Sequence, residues 1–274
     1  MSAQDQSTSG SRPVSAGSQL RRAGLVLAPA IQSIAGIVAF MLLWAAISAS
    51  LKNSALLPSP MAVFAALKTL AAGEIFGDIA ASMVHLSIGY TIGATVGLLL
   101  AVLAARFEGL DAFIEPVIEV LRPISAIAWI PIAILMFGVS EGVPIFLIAY
   151  ASAFPIFVST LDGIRHLDAS LINAARSLGA SSNLIVTHII LPGAMPYVLT
   201  GARLSLGVAW MAMVAGELVG ADAGLGWRIM WYQEFFAMDR VMAIILVIGV
   251  LGFVADSALR SLQRRMMRWN PTEL

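Results

Sequence analysis

Long stretches without a charged side chain alternate along this chain with short polar segments. The first runs from Ala23 to Leu51, behind residues 1–22, which hold six Ser and end in Arg21 and Arg22. It is about twice as long as the apolar core of a signal peptide, which predicts an uncleaved first span near residues 26–48. Leu56-Leu57-Pro58-Ser59-Pro60 reads as a turn, and Met61 to Ala72 as a short surface helix. The second charge-free stretch predicts a span over 79–105. It carries Gly89, Gly93 and Gly97 at strict four-residue spacing, which lets backbones approach either inside one bundle or across a seam between two copies. A third span over 113–137 holds Glu115, Glu119 and Arg122 in its first half, and Pro116, Pro123 and Pro131 should break or kink it. A fourth covers 143–161 with a kink expected at Pro155, a fifth 199–220 with Arg203 and Glu217, and a sixth 241–262 with Asp256 near its end.

Residues 177–202 are nearly as free of charge, yet the pattern argues against a span there. Ser177, Ser181, Ser182, Asn183, Thr187 and His188 are polar, and Pro192, Gly193 and Pro196 should interrupt a helix. The reading is two short helices on the cytoplasmic surface. Leu171, Ala174, Ala175 and Leu178 form an apolar stripe on one, and Leu184, Ile185, His188 and Ile189 share a face of the other. Gly179 lies between them and can take the positive φ of a sharp turn.

Composition turns this pattern into a class. The 274 residues are 59% hydrophobic and 12% charged, with a mean hydropathy of +0.89, too few charges to solvate a soluble globule. The fold expected is all-α integral membrane, with six transmembrane helices and a cytoplasmic loop over 165–196. Residues 1–22 form a disordered tail, 23–265 the membrane domain and 266–274 a second tail. With the termini inside, the inner segments hold Arg12, Arg21, Arg22, Arg106, Arg165, Arg176, Arg260, Arg264, Arg265 and Arg268, against Lys52, Lys68, Arg228 and Arg240 outside. That excess places both termini in the cytoplasm. There is no Cys, and His85, His166 and His188 make no metal-ligand spacing, so no metal site is expected. Lys52 and Lys68 each follow a Leu, which excludes a Gly-Lys-Ser/Thr phosphate loop. Balanced charge offers nothing to nucleic acid.

One segment carries a resemblance. Asn173-Ala174-Ala175-Arg176-Ser177-Leu178-Gly179-Ala180, nine residues after Gly179, then Ile189-Ile190-Leu191-Pro192, resembles the EAA motif of binding-protein-dependent ABC importer permeases. Asn173 stands where that motif most often has Glu, which weakens any salt bridge from this position to an ATPase. The likeness extends over roughly 55–265. Leu57-Pro58-Ser59-Pro60, the stretch from Arg122 to Pro131, Leu191 to Pro196, Gly207-Val208-Ala209-Trp210 and Gly224-Leu225-Gly226-Trp227 look like the subgroup moving nitrate, taurine and alkanesulfonates. The resemblance implies a multi-pass permease of the bacterial inner membrane with no cofactor of its own. ATP would be bound by two separate cytoplasmic ATPase subunits. It further implies a second permease copy, a homodimer in the simplest case, and a periplasmic or lipoprotein receptor that delivers substrate. Asn173, Ala174, Ala175, Arg176, Gly179, Ala180, Leu191 and Pro192 would form the ATPase-coupling loop.

Candidates for the translocation pathway are polar groups within spans, because a charge at bilayer depth faces a bundle interior or a water-filled cavity. Arg122 is either an anion contact or the partner of Glu119 or Glu115. Glu217 would repel an anion, which suits a structural or gating role, with Arg203 or a neighbouring hydroxyl as its partner. Trp129 and Trp210 either line the path or pack inside the bundle, and Ser125 offers a small donor. His85 reads as a satisfied bundle histidine, and Arg264, Arg265 and Arg268 as contacts to lipid headgroups. The function expected is import of a small anion of the sulfonate, taurine or nitrate type, and a thiamine-precursor pyrimidine or other small heterocycle is the alternative. A passive channel would not need the EAA loop, and an intramembrane enzyme lacks its nucleophile and base pairs.

Overall fold

The computed structural model describes residues 35–51, 56–73, 75–107 and 109–267, all in helices and their connections. The chain divides into two compact units, Met1–Pro60 and Met61–Leu274. In the first, helix α1 (Ala35–Leu51) is apolar throughout. The Trp44 indole donates to the Pro58 carbonyl at 3.2 Å and the Ser48 hydroxyl to the Leu57 carbonyl at 2.9 Å, which ties the Pro-Ser-Pro turn to the helix. Residues 26–34 of the expected first span lie outside the described residues.

In the second unit the order is α2 (Pro60–Ala71), α3 (Ile75–Arg106), α4 (Leu110–Leu121), a 3₁₀ turn (Ala126–Trp129), α5 (Ile130–Phe137), α6 (Gly142–Arg165), α7 (Ala169–Ser177), α8 (Ser182–Ile185), a π turn (Val186–Ile190), α9 (Leu191–Gly220), α10 (Leu225–Glu234) and α11 (Met238–Met266). Pro60 opens α2 at the first helical position, where its missing N–H costs nothing.

Among the described residues, four continuous helices are long and apolar enough to cross a bilayer: Ile75–Arg106, Gly142–Arg165, Ser182–Gly220 and Met238–Met266. A fifth crossing is broken, its halves Asp111–Leu121 and Ala126–Phe137 meeting at 89°. The expected set of six simple spans is therefore corrected. The third span is two helices at a corner, and the first is described only from Ala35 on. The proline signal accounts for the corner. Pro123 cannot donate and ends α4, Ser125 caps the next turn by accepting from Ile127 N–H, and Pro131 enters α5 in its first turn. The carbonyl of Leu121 at the corner accepts from the Ile124 N–H at 3.0 Å and from the Tyr150 hydroxyl at 2.7 Å.

A second correction concerns residues 177–202. The break falls only at Gly179, whose φ of +83° suits glycine. From Ser182 the chain stays helical to Gly220, through Pro192, Gly193 and Pro196. The π turn explains how. Leu191 N–H bonds back five residues to Val186 O, one residue more than in an α-helix, and this wider turn stands immediately before the proline that would have interrupted a regular ladder. The segment taken for a second surface helix is the beginning of the fifth span.

The centre of the bundle is a three-helix contact of α3, α6 and α9 made by small residues. A Cβ on Gly89 would meet the Ile145 carbonyl at 2.8 Å, on Gly93 the Ala149 carbonyl at 2.4 Å, and on Gly97 the Ala153 carbonyl at 2.4 Å. The glycine row is thus spent inside one chain, on α6. Ser205 of α9 donates to the Ser152 carbonyl at 2.8 Å from the other side of α6. Around this spine lie Leu86, Ile130, Val143, Leu147, Ile148 and Met213, all buried.

Candidate functional site

Two regions of the second unit carry the residues singled out by the sequence: a cavity at the α4–α5 corner and the loop around Gly179.

The corner cavity has a volume of about 390 Å³. Arg122 and Ser125 supply its polar wall, Ile127, Tyr150, Phe154 and Met211 much of its apolar one. Arg122 is the C-cap of α4 and its side chain is exposed. Neither expected carboxylate partner takes it. Glu115 instead makes a two-pronged contact with Arg165 of α6, at 3.0 and 2.9 Å, and Arg122 enters no ion pair among the described residues. Tyr150 holds the floor rigid by bonding Leu121 O, and its ring lies 5.4 Å from that of Trp129. Trp129 stands behind the wall, half-buried, its indole N–H enclosed without a hydrogen-bond partner.

Two expected pathway residues lie elsewhere. Trp210 packs against Gly252 of α11, where a Cβ would come within 3.0 Å of its Nε1, so it is a bundle contact. Glu217 is fully buried at the far end of α9 and faces no cavity. Its carboxylate accepts from Ser82 Oγ at 2.9 Å and from Gly226 N–H at 2.9 Å, and lies 2.9 Å from His85 Nδ1. Ser82 Oγ in turn accepts from Leu225 N–H at 2.9 Å. Leu225 and Gly226 are the first residues of α10, so a carboxylate on α9 and a hydroxyl on α3 satisfy the orphan donors of a third helix. One turn of α3 earlier, Asp78 pairs with Arg228 of α10 at 2.6 Å. Glu217 thus meets hydroxyl, imidazole and backbone partners. Arg203 pairs instead with Asp256 of α11 at 3.0 Å, and Asp256 also takes Arg260. The Ser82–Glu217–Leu225–Gly226 cluster was not legible as a unit, since Ser82 lies more than a hundred residues before the other three.

The loop reads differently from the corner. Asp168 caps α7 by accepting from Ser170 N–H at 2.8 Å, and this bond, with the Ser170 hydroxyl, holds its carboxyl below the ordinary aspartate range. No residue of α7 is buried. Asn173, Ala174 and Arg176 are exposed, Ala175 and Ala180 half-buried. At the turn, Ala180 N–H reaches the Ala175 carbonyl at 3.0 Å and Gly179 N–H the Arg176 carbonyl at 2.9 Å. This leaves Leu178 at the tip, 88% exposed, beside exposed Leu171 and Leu184. Ala175, Leu178, Gly179 and Ala180 face Leu184, Ile185, His188 and Ile189 across a groove of about 370 Å³. Leu191 and Pro192 belong to α9 and stand outside that groove. Among the described residues, no cluster of His, Asp and Glu could hold a metal ion.

Comparison with known proteins places this geometry. Residues 93–268 match the family model described as binding-protein-dependent transport system inner membrane component. The chain is 37% identical over 220 residues to the putative aliphatic sulfonates transport permease SsuC of Escherichia coli (strain K12), covering 80% of this chain and 84% of that one. It is 36% identical to the taurine transport system permease TauC of the same strain, over 83% and 85%. It is 30% identical to the bicarbonate transport system permease CmpB of Synechococcus elongatus, over 98% and 99%. The fold matches a solved amino acid ABC transporter with a TM-score of 0.57 at 20% identity, covering 74% of this chain and 97% of the other. It also matches the MetNI methionine transporter in an inward-facing form with a TM-score of 0.57 at 22% identity, over 72% and 95%.

Proposed function

Because the chain belongs to the family of binding-protein-dependent transport system inner membrane components, we propose that it carries a small organic oxyanion of the sulfonate or taurine kind as the permease subunit of an ATP-driven importer. The observation that carries the anion is Arg122. Its guanidinium lines a cavity of about 390 Å³ without a carboxylate to neutralise it. Several N–H donors in a planar fork suit an oxyanion, Ser125 adds a hydroxyl, and the apolar remainder of the wall suits a short carbon chain better than a bare inorganic ion. The names of the curated relatives support the same chemistry.

The rest of the machine follows from the two ends of α9. The α7–Gly179–α8 loop with its Leu178 tip is the docking element for a cytoplasmic ATPase. A second copy of the permease completes the pathway opposite the corner cavity, and a receptor delivers the anion from outside. ATP binding drives alternating access provided the substrate contacts differ between the two states.

Uptake into proteoliposomes containing the permease, its ATPase and its receptor tests the reading. Arg122→Gln should lower uptake of the anion about tenfold to a hundredfold, the worth of one hydrogen bond to a charged group, with ATPase co-purification intact. Undiminished uptake by Arg122→Gln, or transport of only a neutral heterocycle such as a thiamine-precursor pyrimidine, overturns the assignment.

A further inference from the structure

Where α3 ends and the docking loop begins, a second polar opening leads into the protein. It is lined by Arg106, Arg176 and Ser182 together with Ile164, Ile172 and Val186, and has a volume of about 200 Å³. Neither arginine enters an ion pair among the described residues, and no carboxylate lines the opening. Behind it lies a narrower chamber of about 40 Å³ that shares Ala105, Arg106, Ile164, Val186 and Ile190 and is otherwise apolar. The one side-chain hydroxyl of that chamber belongs to Thr160. Thr160 is fully buried and its Oγ1 has no hydrogen-bond partner. Two unneutralised guanidiniums at the mouth, an apolar throat and a buried unpaired hydroxyl inside describe the outline of an amphiphile with an anionic head.

The level in the membrane narrows the chemistry. Arg106 is the last residue of α3, a 32-residue spanning helix, so the mouth opens where that span emerges from hydrocarbon. Anionic headgroups crowd that level and interact favourably with arginine there. We propose that the Arg106–Arg176 cavity binds one phosphate group, brought either by an anionic phospholipid of the leaflet on the docking-loop side or by a free phosphate-bearing solute. The phosphate oxygens take N–H donors from both guanidiniums and the Ser182 hydroxyl, and an oxygen or water beyond the head reaches Thr160. Because Arg106 and Ile164 end the spans α3 and α6 while Arg176 and Ser182 belong to the docking loop, the occupant joins loop to bundle. This site is separate from the corner cavity and holds whichever anion is transported.

Native mass spectrometry of the full chain, released from detergent with phosphatidylglycerol or phosphatidylcholine added, tests it directly. The wild type should retain phosphatidylglycerol over phosphatidylcholine. Arg106→Gln with Arg176→Gln should weaken that retention about tenfold or more, while Lys68→Gln with Arg240→Gln, removing equal charge from residues that do not line the opening, should leave it unchanged. Ala105→Phe, which keeps both charges but fills the wall common to mouth and chamber, should also exclude the lipid and serves if the arginine variant fails to insert. Thermal stabilisation by inorganic phosphate, lost in the same variants, without selective lipid retention, assigns the site to a free phosphate. Equal retention of both lipids and no phosphate response in the wild type, or phosphatidylglycerol and phosphate binding that both Ala105→Phe and the arginine pair leave unchanged, overturns the proposal.

Discussion

Glu217 and His85 meet 2.9 Å apart with neither side chain reached by solvent, one from α9 and one from α3. The same carboxylate caps α10, so three helices depend on one buried side chain. Glu217→Ala leaves Ser82, His85 and the Gly226 N–H unsatisfied in a space closed to water. Removing one partner from a buried charged contact costs about 3–5 kcal/mol. We expect a thermal midpoint in detergent lowered by many degrees, with Glu217→Gln intermediate because it keeps an acceptor. A Glu217→Ala protein that melts with the wild type would show that the contact contributes nothing.

Gly93 and Gly77 share a helix and differ only in what faces them. A Cβ at Gly93 would lie within 2.4 Å of the Ala149 backbone oxygen, while at Gly77 it meets nothing within 4 Å. Gly93→Ala should lose about 1–3 kcal/mol or more through overpacking, and Gly77→Ala should be neutral or slightly stabilising. Thermal unfolding of the two side by side decides it, and equal midpoints would refute the close α3–α6 approach.

Asp168 predicts a pH response at the docking loop. Its folded pKa is lowered, chiefly by the Ser170 backbone N–H, so its cap strengthens α7 above the ordinary aspartate range. That contribution is lost as pH falls through the lowered value. Hydrogen-exchange protection of the first turn of α7, corrected for intrinsic rates, should drop between neutral pH and pH of about 3. Asp168→Asn, still a good cap, should remove the pH dependence, and Asp168→Ala should fray the turn at every pH. Protection independent of pH in the wild type would contradict the cap.

Gly179 carries the turn between α7 and α8 at φ +83°, the turn proposed to dock the ATPase. Gly179→Val puts a β-branched residue where only glycine is comfortable, and Ala175→Arg fills the groove beside Leu178. Both should insert normally and fail to co-purify with the ATPase. Intact complexes and receptor-stimulated hydrolysis in both variants would separate the loop from coupling.

The parts of this molecule legible in the sequence are those written locally. Charge-free runs located α3, α6 and α11, and the Pro123-to-Pro131 spacing located the corner. Gly179 announced its turn because a positive φ leaves a residue-type signature. Pro192 misled for a physical reason, since its usual effect assumes an α-ladder and the π turn before it changes the register, while Pro196 is carried inside α9. The Glu217 partners were invisible because nothing near position 217 points to position 82, 85 or 226. Arg122 stood out as a charge within an apolar stretch, but only the fold shows that Glu115 is committed to Arg165.

The unbroken helical run from Ser182 to Gly220 has a mechanical meaning. Thirty-nine residues make a rod about 58 Å long, with the docking groove at one end and the Glu217 clamp near the other. The π turn at Val186–Ile190 and Pro196 interrupt its regularity but not its helical course, so a displacement at Leu184 is carried toward Glu217. Tilting such a rod by about 5° about one end displaces the opposite end by about 5 Å, roughly the pitch of one helical turn. The closure between α3, α9 and α10 therefore sits at the output end of a lever whose handle is the loop around Gly179.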